Sequence, residues 1–404
     1  MRRLYYDDSL LWEFEATVET CTAIDGRYHL TLDQTAFYPT SGGQPHDTGT
    51  LHLAGDDTGT RVPVAVVDVI DDEASGEVVH VVAAPFAAGA RVHGDVNRVR
   101  RLDHMQQHTG QHILSAAFDH LVNARTVSFH MGAESSTIDL SVELTPEQIS
   151  LAEMSANQLV WRDREVVVRY VTEAEAATLP LRKESTRTGT LRLVEVPGAD
   201  LSACGGTHVP RTGMIGMIGV TGSERFKGGS RVSFVCGGRA FSAFASMRQV
   251  TQAAARNLTI AVADLPDAIA RMQSQIKDQQ RAIKELQEQV TAGLAVQLRD
   301  ASVPGQHGTR LVVRAQPGWD ATAIKFLASA IVSSPGFVVV LTGEGSPVPV
   351  VVARSADVGI DAGAWIKDAT AEFGGRGGGR PEIAQGGVTA GTNDILARAI
   401  RTLS

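Results

Sequence analysis

The sequence predicts an α+β protein of several domains. A strand-rich N-terminal subdomain leads into an α+β domain, then a helical, coiled-coil-like linker and a small C-terminal α/β domain. Three observations carry this. The length, 404 residues, corresponds to two or three domains of ordinary size. The hydrophobic period changes from two near the N-terminus to about 3.6 after residue 100. A polar, Gln-rich stretch with heptad spacing then separates this part from a final set of short apolar runs. We place the boundaries at 1–95, 96–245, 246–302 and 303–404.

Residues 15–100 read mainly as strands. Tyr28–Leu32, Val62–Val69 and Glu77–Val82 are β-branched or alternating stretches set between Gly, Asp and Pro clusters. Leu102, Met105, Thr109, His112, Ile113 and Ala116 then mark a helix from about Asp103 to Val122. A second helix follows Thr145-Pro146-Glu147-Gln148. Thr145 suits the N-cap, Pro146 the first helical position, and Gln148 a capping box. Strands return at Val166–Val171, Thr190–Val196, Ile215–Val220 and Arg231–Val235.

From Val250 to about Arg299, Ile269, Ile276, Ile283 and Val290 recur every seven residues. Leu265, Met272, Gln279 and Leu286 stand between them. Such a pattern fits a parallel two-stranded coiled coil, hence a homodimer, and equally a helical hairpin packed on its own domain. In the last hundred residues Leu311–Arg314, Phe337–Leu341 and Val348–Ala353 are buried-strand runs. Ala321–Val332 and Ala362–Phe373 are helical, and Gly374–Gly379 reads as a connecting loop before the final helix.

Composition limits the function classes. The apolar fraction of 43% is that of a soluble globular chain. The three cysteines, Cys21, Cys204 and Cys236, are too few for a disulfide framework and fit a reducing compartment. No signal-peptide h-region or membrane-length apolar run occurs, so a cytoplasmic location is expected. The net charge of −8 taken whole argues against a polyanion partner. Residues 1–90, however, hold 15 acidic and four basic residues. Residues 205–240 carry Arg211, Arg225, Lys227, Arg231 and Arg239 against Glu224 alone. That local excess is either an anion footprint or a solvated surface.

Two pairs of potential ligands stand out. His108-Thr-Gly-Gln-His112 puts two imidazoles on one helix face. Cys204-Gly-Gly-Thr-His208 puts a thiol and an imidazole around a Gly-Gly turn. Three nitrogens and one sulfur are a tetrahedral zinc set, and the thiolate argues against Mg²⁺ or Ca²⁺. One Zn²⁺ per chain is expected. His104 reads as a supporting or helix-surface histidine. Four protein ligands suit a closed structural site, whereas catalysis needs a fifth position or a displaced ligand.

These motifs resemble a known set. Thr35-Ala-Phe-Tyr-Pro-Thr-Ser-Gly-Gly-Gln44 followed by Asp47 and Gly49, the two zinc motifs, Ser128-Phe-His-Met-Gly and Ser136-Thr-Ile-Asp-Leu140 occur in the order found in alanyl-tRNA editing domains. Gly374–Gly379, Arg380-Pro381 and Ala384-Gln385-Gly-Gly are similar to the C-terminal domain shared by alanyl-tRNA synthetases and DHH-type phosphoesterases. The whole resembles a long-form alanyl-tRNA editing protein of the AlaX type. The editing motif begins within forty residues of Met1, so no aminoacylation domain is expected.

The resemblance implies hydrolysis of Ser or Gly esters on the alanine tRNA, with zinc held by His108, His112, Cys204 and His208. A pocket built for Ala rejects smaller or near-isosteric amino acids only weakly, so a second hydrolytic site supplies selectivity. Thr35 and Gln44 are the candidates for sensing the serine hydroxyl, or else stabilise the turn at Gly42-Gly43. The implied tRNA contacts are Gly42, Gly43, Arg225, Lys227, Arg231, Arg376, Gly377, Gly378 and Arg380. Gly110-Gln111 stands where relatives often carry Ala-Thr.

Overall fold

A computed structural model describes residues 1–54, 62–72, 74–182, 189–389 and 391–404. It divides into two compact units, Met1–Ala253 and Ala254–Ser404.

In the first unit the strand-rich beginning closes into a six-stranded barrel. Its strands are β1 (Glu13–Ile24), β2 (Arg27–Leu32), β3 (Gly49–Leu53), β4 (Val64–Asp72), β5 (Glu77–Val82) and β6 (Arg91–Val96), ordered β1-β2-β5-β4-β3-β6. Alternation along β1 sends Phe14, Ala16 and Val18 inward and leaves Glu13 and Glu15 outside. Leu30, Leu51, Val66, Val78 and Val92 complete the interior. Closure pairs every strand and leaves no edge.

Helix α1 (Arg98–Val122) begins five residues before the predicted start. The Asn97 side chain accepts the Arg100 N–H and caps a first turn too polar to show an apolar period. Asn123 ends the helix in the left-handed region, at φ 51°. After β7 (Thr126–Met131) and β8 (Ser136–Leu140), helix α2 (Pro146–Trp161) starts with the predicted capping box. Both helices pack on an antiparallel sheet of order β12-β13-β8-β7, where β12 is Ile218–Phe226 and β13 is Gly229–Cys236. Met105, Ile113 and Phe118 meet Ile149 and Val160 over Ile138, Val232 and Phe234. The sequence placed a strand at Ile215–Val220. Thr212–Ile215 is instead a 3-10 turn, because Gly216 takes φ 82° and breaks the extended run. A second sheet, β9 (Val167–Thr172), β10 (Thr190–Val196) and β11 (Asp200–Ala203), runs directly into the Cys204 loop.

Helix and barrel are joined by a buried ion pair. Arg101 of α1 and Asp47, in the loop before β3, are both completely buried. Arg101 Nε lies 2.9 Å from Asp47 Oδ2, and Nη1 and Nη2 donate to the carbonyls of Ser9 and Ala36. Asp47 also accepts the Tyr38 N–H at 2.7 Å.

Helix α3 (Gly237–Leu258) leads out of the first unit. The predicted helical segment 246–302 is interrupted at Thr259, which has φ 56°. In the second unit α4 (Leu265–Asp300) runs for 36 residues. Its last turns bury Ala295 and Leu298 against α5 (Ala321–Val332). Ile269, Ile276, Ile283 and Val290 remain about half exposed. A six-stranded sheet follows, in the order Val303–Pro304, β14 (Arg310–Ala315), β15 (Phe337–Thr342), β16 (Val348–Arg354), β18 (Ile383–Val388), β17 (Gly375–Gly379). Only β14 and β15, linked by α5, are parallel. Helices α6 (Ala362–Phe373) and α7 (Thr392–Leu403) bury Trp365, Ile366, Ile395 and Ala399 in its core.

The Gly374–Gly379 segment is therefore not a loop but the edge strand β17. A Cβ at Gly377 would stand 2.5 Å from the Ile366 side chain and 2.8 Å from Gly386 Cα. Only a side-chain-free strand lies this close to its neighbours. Among the described residues no helix is long and apolar enough to cross a membrane.

Replacing Asp47 by Ala strands the buried Arg101 guanidinium. Urea unfolding of Asp47→Ala should show a loss of about 3–5 kcal/mol. A loss under 1 kcal/mol would mean that the pair does not join helix to barrel.

Candidate metal centre

The four predicted ligands converge. One ligand atom from each of His108, His112, Cys204 and His208 lies within 4.8 Å of the others. Cys204 Sγ is 3.3 Å from Nε2 of both His108 and His208. Bonds of about 2.0–2.3 Å to a tetrahedral zinc place ligand atoms about 3.3–3.8 Å apart, so the donor set fits that ion and the two 3.3 Å separations from Cys204 match its spacing.

The local structure explains the convergence. Residues 108 and 112 are one helical turn apart on α1. The 204–208 loop reaches them because Gly206 has no side chain; a Cβ there would lie 2.1 Å from the His108 ring. Gly110 is likewise required, because a Cβ would stand 2.3 Å from Cys236 Sγ.

Each imidazole is fixed through Nδ1. His108 Nδ1 donates to Gln44 Oε1 at 2.7 Å. The Gln44 amide is oriented by Thr207, whose N–H meets Oε1 and whose Oγ1 accepts from Nε2. His112 Nδ1 donates to Asp200 Oδ2 at 2.8 Å. His208 Nδ1 donates to Thr109 Oγ1 at 3.2 Å. All three Nε2 atoms are thereby left for the metal. Asp200 is held in turn by Arg182 Nε, at 2.6 Å, and by Ser202.

The electrostatics favour the ligand forms of Cys204 and His208, and the protonated form of His112. Burial opposes ionisation of Cys204, but the His108 and His208 rings outweigh it and hold the thiol well below its usual range. Burial pushes His208 down to about 3. For His112 burial acts downward too, yet the bonds to Asp200 and Cys204 lift it to about 9. Burial would raise Asp200, but His112 and Arg182 hold it below the carboxylate range. His104 is buried rather than on the helix surface, lies outside the ligand group, and burial lowers it to about 4.

A cavity of about 430 Å³ opens beside the ligands. His108, His112 and Cys204 line it with Gly42, and its walls include Tyr6, Tyr38, Tyr170, Arg182 and Arg192. Gly43 supports this wall, its carbonyl accepting the Met131 N–H. Thr35 is not among the lining residues. It is buried in the barrel, where its hydroxyl meets His80 Nε2 at 2.8 Å and accepts the Phe37 N–H. Gln44 is buried, with both ends of its amide engaged by His108 and Thr207.

Arg225, Lys227 and Arg231 sit on the β12–β13 hairpin. Arg225 pairs with Glu143, Arg231 with Asp139, and Lys227 lies over the Phe226 ring. Arg211 and Arg239 pair with Asp163 and Asp103. Most of the local positive excess is thus matched by acids distant in sequence. In the second unit Arg376, Gly377 and Arg380 are exposed, Gly378 is half-buried, and Arg376 lines a hollow with Pro347, Gly387 and Thr389. Sequence reasoning missed Asp200, Thr109, Arg182, Arg192 and the three tyrosines. Tyr38 and Thr109 lie within motifs and Asp200 just before one, but none has a diagnostic spacing.

Comparison with known proteins agrees with this layout. Residues 308–404 match the DHHA1 domain, and residues 191–233 match the Threonyl and Alanyl tRNA synthetase second additional domain. An alanine–tRNA ligase of Pyrococcus abyssi is 30% identical over 401 residues, covering 95% of this chain and 42% of that protein. Those of Halorubrum lacusprofundi and Methanoculleus marisnigri are 33% and 34% identical, each over 95% of this chain and 42% and 41% of their own lengths. The chain spans about two fifths of the length of these relatives. Fold and site thus define a chain of tRNA-synthetase-associated domains. Within that class the matches support an AlaX-like chain related to the editing and C-terminal portions of alanyl-tRNA synthetases.

Two outcomes follow. Asp200→Asn should weaken zinc binding about 10- to 100-fold in a chelator competition, with the circular dichroism spectrum retained; unchanged affinity would remove Asp200 from the support of His112. Gly110→Ala should lower stability by about 1–3 kcal/mol in urea unfolding through contact with Cys236, and Gly110→Ala with Cys236→Ala should recover part of the loss.

Proposed function

We propose that this chain is a trans-editing hydrolase that removes Ser or Gly from mischarged alanine tRNA, using zinc held by His108, His112, Cys204 and His208. The observation that carries the reading is the ligand set lining a cavity large enough for the aminoacylated end of a nucleic acid. The relatedness to alanine–tRNA ligases over nearly the whole chain supports it.

Bound zinc supplies positive charge for polarising the ester carbonyl or acidifying a water. The chain's own residues do the rest. Gln44, Asp200 and Thr109 hold the three imidazoles with Nε2 toward the ion. Tyr6, Tyr38 and Tyr170 offer aromatic surface to the terminal nucleoside. Gly42 and Gly206 allow close backbone approach beside the ligands. Thr35 and Gln44 influence Ser selection through the Thr35–His80 and Gln44–His108 contacts, which fix the walls rather than offer free hydroxyl partners. Arg225, Lys227, Arg231, Arg376, Gly377, Gly378 and Arg380 are the proposed tRNA contacts. The exposed Ile269–Val290 stripe of α4 is proposed to pair two copies in parallel.

A second reading is favoured by the ligand count. Four protein ligands complete a tetrahedral site, so the zinc would be structural and the chain a non-catalytic tRNA-binding protein. Deacylation of Ser-, Gly- and Ala-charged alanine tRNA separates the two. The hydrolase should release Ser or Gly well ahead of Ala and lose that activity on chelation while remaining folded. Absent turnover with retained tRNA binding selects the second reading, and full activity in metal-free folded protein rejects the zinc role. Light scattering should give a mass twice the 42.9 kDa of one chain; a single species at the monomer mass would refute the pairing.

A further inference from the structure

Two guanidinium groups line the cavity beside the ligands, and they are held differently. Arg182 is matched by a carboxylate, Asp200. Arg192 has none: no acidic side chain lies within 4.0 Å of it among the described residues. Yet Arg192 is only 8% exposed.

Its contacts are to uncharged groups. Nη1 donates to the carbonyl oxygens of Cys204 at 2.7 Å and Gly206 at 3.1 Å. Nε faces the carbonyl of Tyr6 at 3.3 Å. The guanidinium carbon stands 5.3 Å from the centre of the Tyr6 ring. Tyr170 is its cross-strand neighbour, Arg192 pairing with Tyr170 between β10 and β9, and the two side chains are in hydrogen-bonding contact. Nη2, with two N–H donors, is buried without a hydrogen-bond partner.

Such a group is costly in isolation. A buried guanidinium held only by uncharged groups has no counter-charge, and an unsatisfied charged donor costs more than a neutral one. An anion entering the cavity removes both costs, and the planar fork of Arg suits a phosphate or carboxylate. The proposed substrate is an amino-acid ester and carries no free carboxylate. Its anionic groups are the phosphodiesters of the nucleic acid.

We infer that Arg192 binds the phosphate on the 5′ side of the terminal nucleoside of an aminoacylated nucleic acid, through Nη2 and beside Tyr6 and Tyr170. The inference rests on the proposed deacylase reading. Because Nη1 holds the Cys204 and Gly206 carbonyls, the same guanidinium would tie the substrate phosphate to the loop that presents the zinc-binding thiolate.

The test uses the full zinc-loaded chain and two minimal esters, 3′-O-seryl-adenosine and 3′-O-seryl-adenosine 5′-monophosphate. Wild type should favour the phosphate-bearing ester about 10- to 100-fold in kcat/KM. The ratio should fall to about one in Arg192→Gln and recover in part in Arg192→Lys, with zinc content equal to wild type. Calorimetry should show the same loss of preference for adenosine 5′-monophosphate over adenosine. A ratio that persists in Arg192→Gln overturns the inference, leaving Arg192 as a loop support only. Loss of free serine binding with retained phosphate preference also overturns it, in favour of a product-carboxylate site. Absence of any preference in wild type overturns it however the variants fold. If wild type cleaves neither ester but binds the monophosphate in an Arg192-dependent way, the deacylase reading fails and the anion site stands.

Discussion

The buried pair of Arg101 and Asp47 is the constraint on which the first unit depends. Arg101 is on the helix that carries His108 and His112. Asp47 closes the loop that carries Gly42, Gly43 and Gln44. Two desolvated charges are stable here because the remaining hydrogen-bonding capacity is used, by the carbonyls of Ser9 and Ala36 on one side and the Tyr38 N–H on the other. The pair fixes the first turns of the helix against the barrel. It thereby sets the distance at which Gln44 reaches the His108 ring.

From that join outward the site is layered. Innermost are three Nε2 atoms and one thiolate. Around them a glutamine, an aspartate and a threonine each accept a hydrogen bond from one Nδ1, and each comes from a different place in the chain. The arrangement holds the rings in one tautomer and one orientation. The cavity lies beside this layer, with aromatic and cationic walls. A cradle of fixed dipoles of this kind suits chemistry at a polar ester, because little reorganisation is then needed as charge develops.

Much of this was legible in the sequence, for identifiable reasons. The ligands declared themselves through two short motifs whose spacing matches a helical turn and a glycine turn. The capping box at Thr145 and Gln148 was readable because cap chemistry is local. The rest depends on contacts between distant segments. Asp200 has no distinctive spacing; it matters because β11 lies beside α1. The pairing of Arg225 with Glu143 and Arg231 with Asp139 is invisible to a count of charges along the chain. Gly375–Gly379 read as a loop because glycine marks turns, while the need to lie flat on β18 and α6 arises only in three dimensions. The start of α1 was placed late because its first turn shows no apolar period.

The spacing of the site along the chain has a consequence for when the four side chains can meet. The His108–Cys204 contact closes a loop of 96 residues, and the Gln44–Thr207 contact closes one of 163. Neither can form until nearly all of the first unit has been synthesised. Contacts of such high sequence separation assemble slowly. The four-residue cluster can therefore come together only late in the synthesis of the first unit. A chain interrupted before residue 204 would present the two histidines of α1 without the thiolate that makes the site selective for a soft ion.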